Sequence, residues 1–304
     1  MSIYFRIKNL EKSFDGFKLG PISFELKKGS YFVLLGPTGC GKTTFLRTIA
    51  GIINNDKGNI FVNNRDLSIT PVHKRKIGYV SQKPDLFPHL SVEQNIAFGL
   101  KYLDITKKEK KERIFRFLDL FGLEKFADRP AYVLSGGESK VTALARSLII
   151  YPDVLLLDEP LGMLDHNGRK EMIEILKRIH KELSTTTIHV THDRHEAWSF
   201  SQNCGVMNNG NLEQKGLVSE IFRKPENEFV ADFLGGINIF KAESKNNKVL
   251  LPWLSKEGSI LIRPERISIV SKKDSFKVKG KVFALHDFVP GFFGSGFRWP
   301  IFNL

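Results

Sequence analysis

The chain is poor in cysteine. Only Cys40 and Cys204 occur in 304 residues, far apart and without metal-type spacing. That excludes a disulfide framework and points to a reducing compartment. No apolar run reaches the roughly 18 residues a membrane-spanning helix needs. The start, MSIYFRIKNLEKSF, lacks the charged-then-apolar order of a secretory signal. The chain is therefore expected in the cytoplasm, meeting any membrane through a partner. Internal repeats and low-complexity tracts are also missing. Acidic residues are in deficit, 33 against 46 basic, giving a net charge of +13. Three readings of that excess stay open. They are nucleic acid binding, residence near an anionic membrane face at about 1 kcal/mol per basic residue, or a lysine-rich solvated surface. The densest runs, HKRK (73–76) and KKEKKER (107–113), are short, and nothing resembles a basic arm.

What is present is an alternation of strands and helices. YFVLL (31–35) and VLLLD (154–158) are short, continuous apolar runs of the kind buried strands show, and TTTIHV (185–190) is a third strand. RKEMIEILKRIHKEL (169–183) carries apolar residues at helical spacing. The order predicts an α/β fold with a parallel sheet flanked by helices. Between these strands, SVEQNIAFGLKYL and KEKKERIFRFLDLFGL read as helices, the second stopping near Gly122. Together with the helix that follows LSGGE, they form an inserted helical subdomain over about 87–150. Paired glycines at 235–236 end a first domain, 1–236. Beyond them KVLLPW, SILIRPERISIV and FKVKGKVFAL read as short strands of a small β domain, 237–304.

GPTGCGKT (36–43) fits G-x-x-x-x-G-K-[ST] between a predicted strand and a predicted helix. That context identifies a phosphate-binding loop. The loop of Gly36, Pro37, Thr38, Gly39, Cys40 and Gly41 wraps phosphates with its backbone N–H groups, Pro37 alone lacking one. Lys42 reaches the β- and γ-phosphates, the Thr43 hydroxyl holds Mg²⁺, and Thr44 follows on the helix. At the end of the VLLLD strand, Asp158 suits the Mg²⁺ shell and Glu159 suits polarisation of an attacking water. LSGGESKVTALARSL (134–148) is a second anion-type helix start, with a serine and two glycines ahead of an apolar-periodic helix.

With these motifs in hand, the chain resembles the ATP-binding subunit of an ATP-binding cassette (ABC) transporter. GPTGCGKTT, YVSQ (79–82), LSGGE (134–138), VLLLDEP (154–160), LGMLD (161–165) and VTHD (190–193) follow the family's order across roughly 1–235. The resemblance implies ATP and Mg²⁺ as cofactors and a homodimer closing head to tail on two ATP molecules. It implies that Gln82 sits between the metal or water and the membrane partner, and that His192 contacts the γ-phosphate. Ser135, Gly136 and Gly137 would bind the ATP held by the other copy, while Asp165 crosses the dimer interface. Phe14 would stack on adenine, with Phe17 the alternative ring. Glu159, His192 and Gln82 are thus the implied catalytic group, and Thr43, Gln82 and Asp158 the implied metal group.

The chain departs from the family in places. Glu138 stands where Gln is commoner, and Ser139 and Val141 where basic residues are usual. Gly162 and Met163 replace Ser-Ala or Ser-Asn. A modest loss of ATP affinity or rate is expected from the two missing charges.

QKPDLFPHLSVEQNIAFGL (82–100) resembles the importer branch, whose LFPHL stretch faces the membrane subunit. IRPERI (262–267) resembles the transport-associated, OB-like β domain of sugar, polyamine, iron, sulfate and molybdate importers. KLGPISFELKKGSYFVLLGPTGCGKT and FRKPENEFVADFLGGIN are most similar to molybdate/tungstate importer ATPases. The implied partners are permease subunits and, indirectly, a substrate-binding protein, with the chain peripheral on the cytoplasmic membrane face and no nucleic acid expected. The end, HDFVPGFFGSGFRWPIFNL, is rich in Gly and Phe and lacks alternation. It is expected either to be an incomplete β domain or to form an aromatic edge. Two rival readings remain: a non-transport ABC ATPase acting on nucleic acid or ribosomes, and a regulatory module that senses oxyanion. The first is favoured by charge and opposed by LFPHL and IRPERI.

Overall fold

The structure is a computed structural model that describes residues 3–235 and, after them, only short strands. The chain divides into two units, Met1–Ile221 and Phe222–Leu304. In the first unit a six-stranded sheet carries the functional loops. Its elements are β3 (Tyr31–Leu35), β6 (Ile77–Val80), β7 (Val154–Asp158), β8 (Thr186–Thr191), β9 (Asn203–Asn208) and β10 (Asn211–Leu217), in the order β10-β9-β3-β8-β7-β6. All neighbours are parallel except the β9–β10 hairpin. Every residue of β3, β7 and β8 is buried. In β3 and β7 this burial on both faces goes with a near-continuous apolar run, whereas β8 also buries Thr186, Thr187, His189 and Thr191.

A second, antiparallel sheet joins β1 (Ile3–Phe14), β2 (Phe17–Lys27), β4 (Lys57–Val62) and the short β5 (Arg65–Asp66). Its inner face packs on helix α1 (Lys42–Ala50) and the larger sheet through phenylalanines. Phe24 lies 5.1 Å from Phe32 and 5.9 Å from both Phe5 and Phe45, ring centre to ring centre. These rings are large apolar surfaces at the spacing aromatic pairs favour. They fix α1, and with it the end of the phosphate loop, against both sheets.

The insertion lies between β6 and β7. It contains α2 (Val92–Ala97), α3 (Lys107–Phe121) and α4 (Gly136–Leu148). Each starts on a reciprocal capping box, Ser91 with Gln94, Thr106 with Glu109 and Ser135 with Glu138. Such boxes satisfy two orphan backbone donors per helix. α3 ends where Gly122 turns left-handed at φ 66°. After β7 come α5 (His166–Leu183), α6 (Arg194–Phe200) and α7 (Val218–Arg223).

The second unit contains α8 (Glu228–Phe233) and three antiparallel strand pairs. These are Asn238–Ala242 with Gly258–Ile262, Ser244–Lys245 with Lys248–Val249, and Lys281–His286 with Trp299–Asn303. The ERI of IRPERI, most of SILIRPERISIV and the FVPGFFGSGFR stretch lie outside the described residues. So does the question of an OB-like domain.

Candidate functional site

The phosphate loop runs from the end of β3 into α1, and its shape demands glycine at defined points. A Cβ on Gly36 would lie 2.5 Å from the Met207 carbonyl oxygen and 2.6 Å from Cys40 Sγ. Gly41 has φ 108°, and a Cβ there would lie 2.6 Å from the Phe17 ring. Gly39 is also left-handed, at φ 83°, and is exposed together with Thr38. Cys40 points inward, and burial pushes its thiol pKa up. Lys42 Nζ donates to the carbonyls of Gly36 (2.8 Å) and Pro37 (2.9 Å). Thr44 serves the helix, its carbonyl accepting from the Thr48 hydroxyl.

Beside this loop β7 ends in two carboxylates with different surroundings. Asp158 is buried. Its Oδ1 accepts from the Thr43 hydroxyl at 3.0 Å and its Oδ2 from Tyr79 at 3.0 Å. Burial raises the Asp158 pKa, and these two donors oppose the rise. Tyr79 is itself pushed up to about 12, chiefly by burial and then by the Asp158 charge. It therefore remains a donor at any working pH.

Glu159 lies at the centre of a polar convergence. Gln82 Nε2 donates to its Oε2 at 3.1 Å, His192 Nδ1 lies 3.3 Å from Oε1, and Lys42 Nζ lies 4.0 Å from Oε1. Its backbone adopts φ 46°. A non-glycine residue held there costs free energy and persists only when its surroundings enforce it. The enforcement is visible: Glu159 N donates to Val190 O, and Glu159 O accepts from Gly162 N, both at 3.0 Å. The oxygens of Thr43, Asp158 and the Gln82 amide form a hard donor set suited to Mg²⁺, which binds through few protein oxygens plus phosphate.

The structure thus brings Lys42, Thr43, Gln82, Asp158, Glu159 and His192 into one cluster. Ser135, Gly136 and Gly137 belong to another element, the first turn of α4. Ser135 Oγ accepts from Glu138 N at 3.3 Å, and Glu138 returns the bond, accepting from Ser135 N at 2.7 Å. Those bonds hold the Glu138 carboxyl below its usual pKa. A Cβ at Gly136 or Gly137 would meet nothing within 4 Å. Among the described residues no packing accounts for these two glycines. Asp165 caps α5, accepting from Gly168 N at 2.8 Å, and is exposed, as is Met163. Ser139 is half-buried, and Val141 is 8% exposed on the inner face of α4.

The two candidate stacking rings differ. Phe14 is 45% exposed and Phe17 is wedged toward Gly41, with 6.5 Å between ring centres.

A groove borders the other end of the cluster, lined by Asp85, Phe87, Phe98, Arg146 and Ile150. Phe87 and Phe98 lie 4.2 Å apart, ring centre to ring centre, and the Arg146 guanidinium sits 5.2 Å over Phe87. Among the described residues no helix is long and apolar enough to cross a membrane.

Two residues of the site escape sequence reasoning. Tyr79 falls in the YVSQ motif, in which only Gln82 is given a role. Lys140, 7% exposed, is a lysine inside the buried stripe it shares with Leu144 and Leu148, and that misfit was its only signal.

A family described as "ABC transporter" matches residues 19–162. The chain is 43% identical over 242 residues to a ferric-ion import ATP-binding protein of Fusobacterium nucleatum, covering 79% of this chain but only 65% of that protein. It is 38% identical to a spermidine/putrescine import ATP-binding protein of Acetivibrio thermocellus, covering 99% of this chain and 90% of that one. It is 42% identical to a molybdate/tungstate import ATP-binding protein of Pyrococcus abyssi, covering 86% and 78%. Among solved structures it resembles a dimeric ATP-binding cassette in a post-hydrolysis state bound to ADP and phosphate. There the TM-score is 0.63 at 26% identity, over 70% of this chain and 98% of that one.

Proposed function

Because the chain belongs to the ATP-binding proteins of ABC import systems, we propose that it hydrolyses ATP to power uptake of a solute. The observation that carries this reading is the convergence of Lys42, Gln82 and His192 on Glu159, beside Asp158 and the glycine-shaped loop. Glu159 is placed to orient and polarise water. Lys42 and His192 supply positive and donor groups where charge builds on the transferred phosphoryl. Catalysis of this type is positioning plus charge stabilisation. Thr43, Asp158 and Gln82 would hold Mg²⁺, which neutralises phosphate charge when bound.

Two copies would share each nucleotide, the phosphate loop of one facing Ser135, Gly136 and Gly137 of the other. The openness around those glycines supports this, and the solved relative is dimeric. The groove around Phe87 and Phe98 would seat a permease segment, which places the chain peripherally on the cytoplasmic membrane face. Residues 237–304 would form a small β domain of the transport-associated kind. For the solute we favour an oxyanion such as molybdate or tungstate, on the likeness of residues 18–43 and 222–238 to that branch. Relatives named for polyamine and ferric iron are similar to a comparable degree.

The test of the ATPase reading is Glu159→Gln. It is expected to keep ATP binding, abolish turnover and accumulate as an ATP-bound dimer on gel filtration. Turnover at the wild-type rate would refute the role of Glu159. Uptake of labelled molybdate, spermidine and ferric iron by cells with and without the gene tests the solute.

A further inference from the structure

The loop after β7 is short of internal donors. Pro160 has no N–H, and both Glu159 and Met163 hold left-handed backbones, at φ 46° and 61°. Such a conformation needs support from outside the loop. The support comes from α4. Lys140 reaches across, and its Nζ donates to the carbonyl of Pro160 at 3.1 Å and to that of Gly162. Gly162 in turn donates its N–H to the Glu159 carbonyl at 3.0 Å.

We propose that Lys140 is a positioning residue: its buried ammonium locks the loop carrying Glu159 and Asp165 to the helix whose first turn presents Ser135, Gly136 and Gly137. The inference rests on the reading of Glu159 given above. Three features argue that this link serves the reaction as well as the fold. It joins the loop that would face the chain's own nucleotide to the helix that would face the nucleotide held by the other copy. It uses a cation where an apolar residue would complete the Leu144 and Leu148 stripe. It also bears on a loop that holds two left-handed non-glycine residues, Glu159 and Met163. Burying an ammonium is costly, and desolvation pushes the Lys140 pKa down, opposed by the charges of Glu196 and Glu159 and reinforced by Arg169. An apolar residue of the same length would leave the buried Pro160 carbonyl and the part-buried Gly162 carbonyl without this donor.

The experiment compares the full-length wild type with Lys140→Met, Lys140→Gln, Lys140→Arg and Glu159→Gln. It measures melting temperature, equilibrium affinity for a fluorescent ATP analogue, and kcat at saturating ATP. Misplacing a catalytic loop by about 1 Å costs up to about a hundredfold. Lys140→Met is expected to lower kcat by about tenfold or more while nucleotide affinity stays within about twofold. Lys140→Arg, which keeps a long cationic donor, recovers most of the rate. If Lys140→Met does not fold, Lys140→Gln carries the same comparison with a smaller loss. The proposal is overturned if the folded variants turn over within twofold of wild type, if affinity falls in step with kcat, or if Lys140→Arg is no better than Lys140→Met. A Glu159→Gln protein that still turns over at the wild-type rate refutes the Glu159 reading instead. An inactive Glu159→Gln with unaffected Lys140 variants overturns only the positioning role.

Discussion

Gln82 donates to the Glu159 carboxylate at 3.1 Å and thereby ties the loop after β6 to the end of β7. The bond crosses the base of the whole helical insertion, which leaves the sheet just after Gln82 and returns just before β7. The side chain that holds the candidate base is therefore the one nearest to where the insertion begins.

Gly41 and Gly137 are predicted to respond oppositely to alanine. At Gly41 the left-handed backbone and the Phe17 ring oppose a Cβ. Gly41→Ala should cost more than about 1 kcal/mol of stability and nucleotide binding with it. Gly137 sits in a helix with open space around it, and alanine favours helix by up to about 1 kcal/mol. Gly137→Ala should therefore melt no lower than wild type yet fail to form the ATP-bound dimer. Thermal melts and gel filtration in ATP read both outcomes.

Tyr79→Phe removes the donor to Asp158 Oδ2 while keeping the ring. A hydrogen bond to a charged group is worth about 1.5–3 kcal/mol. Loss of an outer-shell partner typically weakens metal sites about 10- to 100-fold. The Mg²⁺ concentration giving half-maximal turnover should rise within that range, with a measurable drop in stability in denaturant.

Glu138 sets a pH signature. Its folded-state pKa is depressed by the Ser135 N–H and hydroxyl. The carboxylate's stabilising contribution is therefore complete above the unfolded value of about 4.3. It is lost as pH falls through the lower folded-state value. Wild type should melt above Glu138→Gln at neutral pH, and the gap should close on acidification below about pH 4. A gap that persists or widens in acid would rule out the capping box as its source.

Phe14 and Phe17 can be separated by truncation. Stacking of a base on an aromatic ring is worth about 1–3 kcal/mol. Phe14 is 45% exposed, so Phe14→Ala should weaken ATP binding about tenfold or more without lowering the melting temperature. Phe17→Ala should lower the melting temperature, because Phe17 packs on the phosphate loop. The reverse pattern would assign stacking to Phe17.

Much of the sheet was legible in the sequence. YFVLL and VLLLD coincide with β3 and β7, and TTTIHV is displaced from β8 by one residue. A parallel strand buried on both faces leaves a continuous apolar word that needs no context. The antiparallel sheet left no such word. β1 buries Phe5, Ile7 and Leu10, and its register with β2 shifts between Ile7 and Leu10, where Asn9 is left-handed. A bulge of that kind breaks the two-residue period by which strands are recognised. At the site, the phosphate loop was readable because its glycines answer to local geometry. Tyr79 and Lys140 were not, because their partners lie on other elements.

The groove of Phe87 and Phe98 begins only a few residues past Gln82. Arg146, stacked over Phe87, also donates to the Asp85 carbonyl at 2.6 Å. An occupant of that groove would touch the chain segment whose other end donates to Glu159. Free-energy linkage is reciprocal. If nucleotide alters the grip on a groove occupant by some factor, that occupant must alter the affinity for nucleotide by the same factor. If a permease segment fills the groove, the segment from Gln82 to Phe87 would act as a short lever between it and the candidate base.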